Sequence, residues 1–237
     1  ATQDRNAPFE TLTEAAQELS DWPRQITIRA RAESEMFDTP LSPKDAIDWF
    51  KGEAPVSGEG RAALARAHYA RGNDETADMW LRSAWRDAKL TRSRQQELFS
   101  EFRTKLTPED HARRADHLIW NGRWYLDSAQ ALLPFMDRDE RNLMDARIRV
   151  AADRAGMDAA IAAVPSNYQS DSGLLYERAK WRRRKRSKDY ALPLLQEIPG
   201  APINDEGKAS IWRERQIMIS FWVTVLKTEL ILRKPSF

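Results

Sequence analysis

The sequence predicts an all-α fold, an α–α superhelix built as a solenoid of tetratricopeptide-like helical hairpins. Three observations predict it. A turn followed by a small apolar residue recurs: Arg71-Gly72-Asn73-Asp74 leads to Ala77, Asn121-Gly122 to Ala129, Ala155-Gly156-Met157 to Ala160, and Lys188-Asp189-Tyr190 to Ala191. From Ala129 to Ala160 to Ala191 the step is about 31 residues, a helix-pair period in which each unit buries its apolar face only against its neighbours. Apolar residues also fall at helical spacing, most clearly Ala77, Trp80, Leu81, Ala84, Trp85 and Ala88, which form one continuous stripe. Finally, alternation of β-branched residues is rare, so strand signals are weak throughout.

The elements follow in order. Leu12, Ala15, Ala16 and Leu19 give a first helix from Phe9, which Asp21-Trp22-Pro23 breaks, with Pro23 opening the next. Ser42 caps a short helix that starts at Pro43 and reaches Phe50. A helix from about Gly60 to Arg71 ends at Gly72, where a left-handed residue is easiest without a Cβ. Asn73 or Asp74 caps its partner. Thr91 caps a helix to Phe102, and Thr107-Pro108-Glu109-Asp110 combines a hydroxyl cap, a first-position proline and acids in the first turn. Beyond Gly122 come Ala129, Leu132 and Leu133. Met144, Ile148, Ala151 and Ala155 then form a stripe, a short helix lies between Gly156 and Pro165, and helices follow at about Ser172–Arg183 and Ser187–Gln196. Ile217 to Leu226 is apolar nearly all round, which predicts burial in the core or against a partner, as a helix rather than a strand.

Composition narrows the function. The chain has 237 residues, 41% hydrophobic and 31% charged, too apolar for disorder and charged enough for a surface-rich shape. A mean hydropathy of −0.69 agrees. The net charge of +2 supplies no strong field toward nucleic acid or membrane. With no cysteine, disulfides, thiolate metal sites and cysteine nucleophiles are excluded. No apolar run is long enough to span a bilayer. The chain opens at Ala1 without a methionine or an apolar leader, so it reads as a mature N-terminus with an export signal removed.

Few residues carry candidate chemistry. His111 and His117 are six apart and fall on different helix faces, which argues against a metal pair. Glu33-Ser34 lies among helical residues with no glycine loop after it, so its likeness to a glycan-cleaving dipeptide is chance. No phosphate-binding glycine loop, dinucleotide fingerprint or nucleophile elbow is present. The one dense basic run spans Lys180 to Lys188. Its Lys180, Arg182, Arg183, Arg184, Lys185 and Arg186 are a candidate anion or partner contact, with Trp181 available to stack. The same residues also read as cations gathered at a helix C-terminus. No catalytic residue, cofactor site or metal site is assigned.

Several strings, in order, resemble one family. Asp21-Trp22-Pro23 with Arg31-Ala32-Glu33, then Asp48-Trp49-Phe50 with Pro55, resemble the opening helices of soluble lytic transglycosylases of Gram-negative bacteria. Glu109-Asp110-His111-Ala112-Arg113-Arg114-Ala115-Asp116-His117-Leu118-Ile119-Trp120 is similar to a characteristic helix of that family, as are Tyr176 to Arg184 and Trp212-Arg213-Glu214-Arg215. The resemblance covers about Asp21 to Met218. It implies the family's U-shaped helical superhelix over residues 1–218, followed by a divergent apolar tail over residues 219–237. It further implies a periplasmic protein that handles peptidoglycan beside a lysozyme-like catalytic domain. The family's catalytic Glu-Ser motif and its glycine-rich and Tyr-Asn-Ala-Gly segments have no match here. The expected function is therefore a non-catalytic scaffold that positions the catalytic domain or the glycan, inactive alone, from a truncated or altered reading of a longer gene. Its expected partners are peptidoglycan, a lysozyme-like domain and, through the apolar tail, a second copy; nucleic acid is not expected. A tetratricopeptide-like protein adaptor and an RNA-binding helical repeat remain as alternatives.

Overall fold

The computed structural model describes residues 8–18, 24–185, 190–199 and 204–232, with side chains for all of these except 17 and 225–232. Every regular element among the described residues is a helix, so the all-α class stands. Asp21-Trp22-Pro23, the expected break after the first helix, lies outside the described residues. The chain divides into two compact units, Ala1–Asp110 and His111–Phe237.

The first unit contains α1 (Phe9–Glu18), α2 (Gln25–Asp38), α3 (Pro43–Phe50), α4 (Gly58–Ala70), α5 (Asp74–Asp87), α6 (Arg92–Phe102) and the start of α7 (Pro108–Trp120). Short polar side chains set the helix starts by meeting otherwise unpaired backbone N–H groups. Ser42 Oγ accepts from Asp45 N at 3.2 Å, and Thr91 Oγ1 accepts from Arg94 N at 3.2 Å. At α7 the cap is reciprocal: Thr107 Oγ1 accepts from Asp110 N at 3.3 Å, and Asp110 Oδ2 accepts from Thr107 N at 2.8 Å. The start of α4 lies two residues before the expected Gly60, because Ser57 takes the capping position and accepts from Gly60 N at 2.9 Å. Gly72, at φ +74°, turns the chain into α5 as expected. Asn73 occupies the N-cap of α5, although its side chain makes no capping bond. The predicted stripe of α5 is the buried one: Ala77, Leu81, Ala84 and Trp85 are all at most 1% exposed, while Trp80 is half-buried. Ala63, Leu64 and Ala67 of α4 close with Met36, Ala46 and Phe50 into a core whose small alanines let the helices approach.

The second unit holds the rest of α7, then α8 (Leu126–Gln130), α9 (Arg138–Ala152), α10 (Met157–Ala162), α11 (Ser172–Lys185), α12 (Leu192–Glu197) and α13 (Asp205–Leu232). One core cluster joins Trp120, Leu175, Tyr176 and Ala179 to Leu194, Leu195, Ile211 and Met218. Of the repeating alanines, Ala77, Ala129 and Ala191 are fully buried, and Ala160 is half-buried. The stripe expected over Met144, Ile148, Ala151 and Ala155 holds for its first two members and then fades. Asp153 adopts φ +57° and ends α9, which leaves Ala155 exposed.

The apolar segment near the C-terminus is helical but is not buried on every side. Helix α13 runs unbroken through residue 218, burying Ile211, Glu214 and Met218 and half-burying Trp222. Trp212, Ile219 and Val223 share a different face and are 62%, 54% and 44% exposed. The side chains of Val225 and Leu226 lie outside the described residues. No helix among the described residues is long and apolar enough to cross a membrane.

Candidate functional site

Several polar residues inside the second unit meet one another, although Nε and Nη2 of the buried Arg147 have no hydrogen-bond partner. Arg147 of α9 is 1% exposed, and its Nη1 donates to Asp116 Oδ1 of α7. The same Nη1 lies 4.0 Å from Asp171 Oδ1, and the guanidinium carbon sits 5.1 Å from the centroid of the Trp120 ring. Asp171 also accepts from Leu174 N at 2.8 Å, which caps α11. Gly173 is required at this point, because a Cβ there would overlap the Arg147 guanidinium. Asn204 donates to Asp116 Oδ2 at 3.5 Å and accepts from Gly207 N at 2.7 Å, tying the start of α13 to the same cluster. Glu177 is 3% exposed. Burial pushes its carboxyl above the usual range, against the pull of Lys180 and Arg147.

The basic run mostly serves this interior and its rim. Arg183 forks onto the buried Glu214 of α13, with Nη2 3.1 Å from Oε2 and Nε donating to Oε1. Lys185 Nζ lies 2.6 Å from Asp153 Oδ2, and Trp181 Nε1 donates to Asp153 Oδ1 at 2.7 Å. The hydrogen bonds from Lys185 and Trp181 hold the Asp153 carboxyl below its usual range. Lys180 lies over the Tyr176 ring at 5.1 Å. Burial opposes its charge, but Glu177 and Tyr176 more than offset this and leave it more basic than an ordinary lysine. Arg184 is exposed, and Arg186 lies outside the described residues.

Of these candidates, Arg182 borders a cavity. It lines a cleft of about 350 Å³ between α9, α10 and α11. Val150, Met157 and Ile161 supply apolar surface, Trp181 and Tyr190 supply rings, and Arg178, Arg182 and Asp158 supply charge. Arg182 Nη1 donates to Tyr190 O at 3.2 Å, so one cation is held against the chain entering α12. Arg178 makes no hydrogen bond or ion pair with any carboxylate among the described residues. Burial, and then the neighbouring charge of Arg182, hold its guanidinium below its ordinary basicity. Sequence reading named Arg182 and missed Arg178. The available signal was their separation of four residues, which puts both on one helix face.

The remaining sequence candidates have structural surroundings. Glu33 is fully buried and accepts from Val56 N at 2.9 Å, Ser57 N at 2.7 Å and Ser57 Oγ at 2.5 Å. Gly60 closes over it, since a Cβ there would overlap the carboxylate. The resemblance to a catalytic dipeptide thus resolves into a carboxylate at the N-terminus of α4, where the helix dipole favours negative charge. His111 and His117 are 4% and 6% exposed, and the His111 ring packs on Phe135 at 5.5 Å. Among the described residues no group of three or more His, Asp or Glu is gathered to hold a metal ion. Compared with known proteins, the chain matches no family model, no curated protein and no solved structure.

Proposed function

We propose that this chain is the non-catalytic helical scaffold of a peptidoglycan lytic transglycosylase, a periplasmic superhelix that positions a lysozyme-like domain or the glycan itself. One observation carries the reading. Several of the residues on which the family resemblance rests are engaged in packing the helices. Trp120 packs on Tyr176 at 5.0 Å, Arg183 is bound to Glu214, and Asp110 pairs with Thr107 and, at 2.7 Å, with Arg86. Motifs of this kind mark a shared way of packing helices. They supply no reacting group, and the one carboxylate with a suggestive neighbour, Glu33, is sealed.

Cleavage of a glycan strand requires an acid in a water-poor groove beside the scissile oxygen. Purified sacculi incubated with the chain are expected to release no anhydro-muropeptides, and the chain is expected to sediment with them or with an added lysozyme-like domain. Release of anhydro-muropeptides by the chain alone overturns the non-catalytic reading. A gene continuing past Phe237 without a lysozyme-like segment in any frame overturns the family assignment.

A second reading, a tetratricopeptide-like adaptor for a protein partner, draws support from the cleft on α11. The RNA-binding reading draws little, because Arg183 and Lys185 are already neutralised by Glu214 and Asp153.

A further inference from the structure

The cleft between α9, α10 and α11 has the makings of a ligand site that the scaffold role leaves unexplained. Its volume of about 350 Å³ lies at the lower end of the range for small-ligand pockets, roughly 300–1,000 Å³. That is space for two or three amino-acid residues. The charges are unbalanced toward cations, with Arg178 and Arg182 against the single acid Asp158. No ion pair joins Asp158 to either arginine.

The two arginines differ in a way that identifies the anchor. Arg182 is engaged with the carbonyl of Tyr190. Arg178 is half-buried with no carboxylate at ion-pair distance, and the desolvation that weakens its charged form, added to the charge of Arg182, is only partly offset by the more distant Glu197. A cation held in that condition gains most from an anion brought to it. A single guanidinium presents two parallel N–H groups that match one carboxylate bidentately. A phosphate group would ask for more donors than this cleft frees. Beside the cation, Met157 and Ile161 offer an apolar surface on which an aliphatic side chain can lie. Asp158 stands in the first turn of α10, as an acceptor for a ligand N–H.

We infer that this cleft binds the free C-terminal carboxylate of a short peptide, with Arg178 as the anchoring residue and Met157 and Ile161 receiving an apolar side chain. The assignment is independent of the cell-wall reading, since any peptide with an aliphatic residue and a free carboxylate meets its chemistry.

The test is a titration of the full chain with acetyl-Leu-Ala, with its carboxamide, and with inorganic phosphate. Binding is followed by nuclear magnetic resonance at the Trp181 indole N–H and the Arg178 Nε–H. The free acid is expected to saturate these shifts at millimolar concentration and to bind at least about ten-fold more tightly than the carboxamide. Arg178→Gln is expected to lose at least about ten-fold of that affinity, with a melting temperature equal to or above that of the parent, since it removes a cation that burial disfavours. The acid–carboxamide comparison needs no variant, so it decides even if Arg178→Gln fails to fold. Equal binding of acid and carboxamide, unchanged binding by a folded Arg178→Gln, tighter binding of phosphate than of the peptide acid, or no shift up to about 10 mM would each overturn the assignment.

Discussion

Removing Arg147 is the sharpest perturbation of the second unit. In Arg147→Met the side-chain stem keeps its volume and its contact with Trp120, and only the charge and its donors are lost. Asp116, 4% exposed, is then left with the Asn204 amide at 3.5 Å. Asp171 and Glu177 lose the nearby cation as well. Breaking a buried pair by removing one partner costs about 3–5 kcal/mol, because the remaining carboxylate stays desolvated. That is a large share of a typical domain stability of roughly 5–15 kcal/mol. With a urea m-value of about 2 kcal/mol/M, a loss of about 4 kcal/mol lowers the midpoint by about 2 M. Urea unfolding followed by far-ultraviolet circular dichroism measures it, and only the transition of the second unit is expected to move. Combining it with Asp116→Leu is expected to restore part of the loss, with a coupling energy of about 1–3 kcal/mol. Asp171 and Glu177 keep the recovery incomplete. If Arg147→Met alone shifts stability by less than about 1 kcal/mol, or if the double variant is no better than the sum of the singles, the paired interior is not what holds these helices together.

Two further outcomes are expected. The carboxyl of Glu177 is raised by burial, so the folded second unit binds its proton more tightly than the unfolded chain does. This group's contribution is therefore full below the ordinary value of 4.5 and is lost as pH rises through the higher folded value. Glu177→Gln should stabilise the unit in alkaline solution and remove the fall that sets in as pH rises above 4.5; a lower urea midpoint for the variant at the alkaline end would refute this. On α13, the doubly substituted Ile219→Lys, Val223→Lys chain should remain monomeric by light scattering at concentrations where the parent self-associates. Parent and variant with equal scattering mass would show that no second copy covers that face.

The parts of the fold legible in the sequence are those whose physics is local. The caps at Ser42, Thr91 and Thr107 are hydrogen bonds across three residues, and Gly72 is a single backbone conformation, so a short window contains the whole cause. The α5 stripe is legible for the same reason, since one helical period sorts its two faces. Arg147 and Glu33 were not legible. A charged residue on a helix ordinarily faces water, and what reverses the rule here is a partner far along the chain: Asp116 for Arg147, and the N–H groups of Val56 and Ser57 for Glu33. The end of α9 was hidden differently. Asp153, which has no sequence mark of a helix end, adopts a left-handed conformation, so the helix stops before the alanine stripe does. At the cleft, the spacing of Arg178 and Arg182 was visible. What the spacing does not contain is that Arg182 donates to a carbonyl while Arg178 has no carboxylate at ion-pair distance.

The closure of Gly60 over Glu33 makes two distant codons into a single hereditary unit. Enlarging residue 60 evicts the carboxylate, and shortening residue 33 leaves an empty space that only then admits a methyl group. Neither exchange is tolerable first, so drift at this joint has to pass through an unstable intermediate or through paired change. In a library randomised at both positions, survivors would be expected to vary together, and the joint should read as frozen in any survey that alters one amino acid at a time.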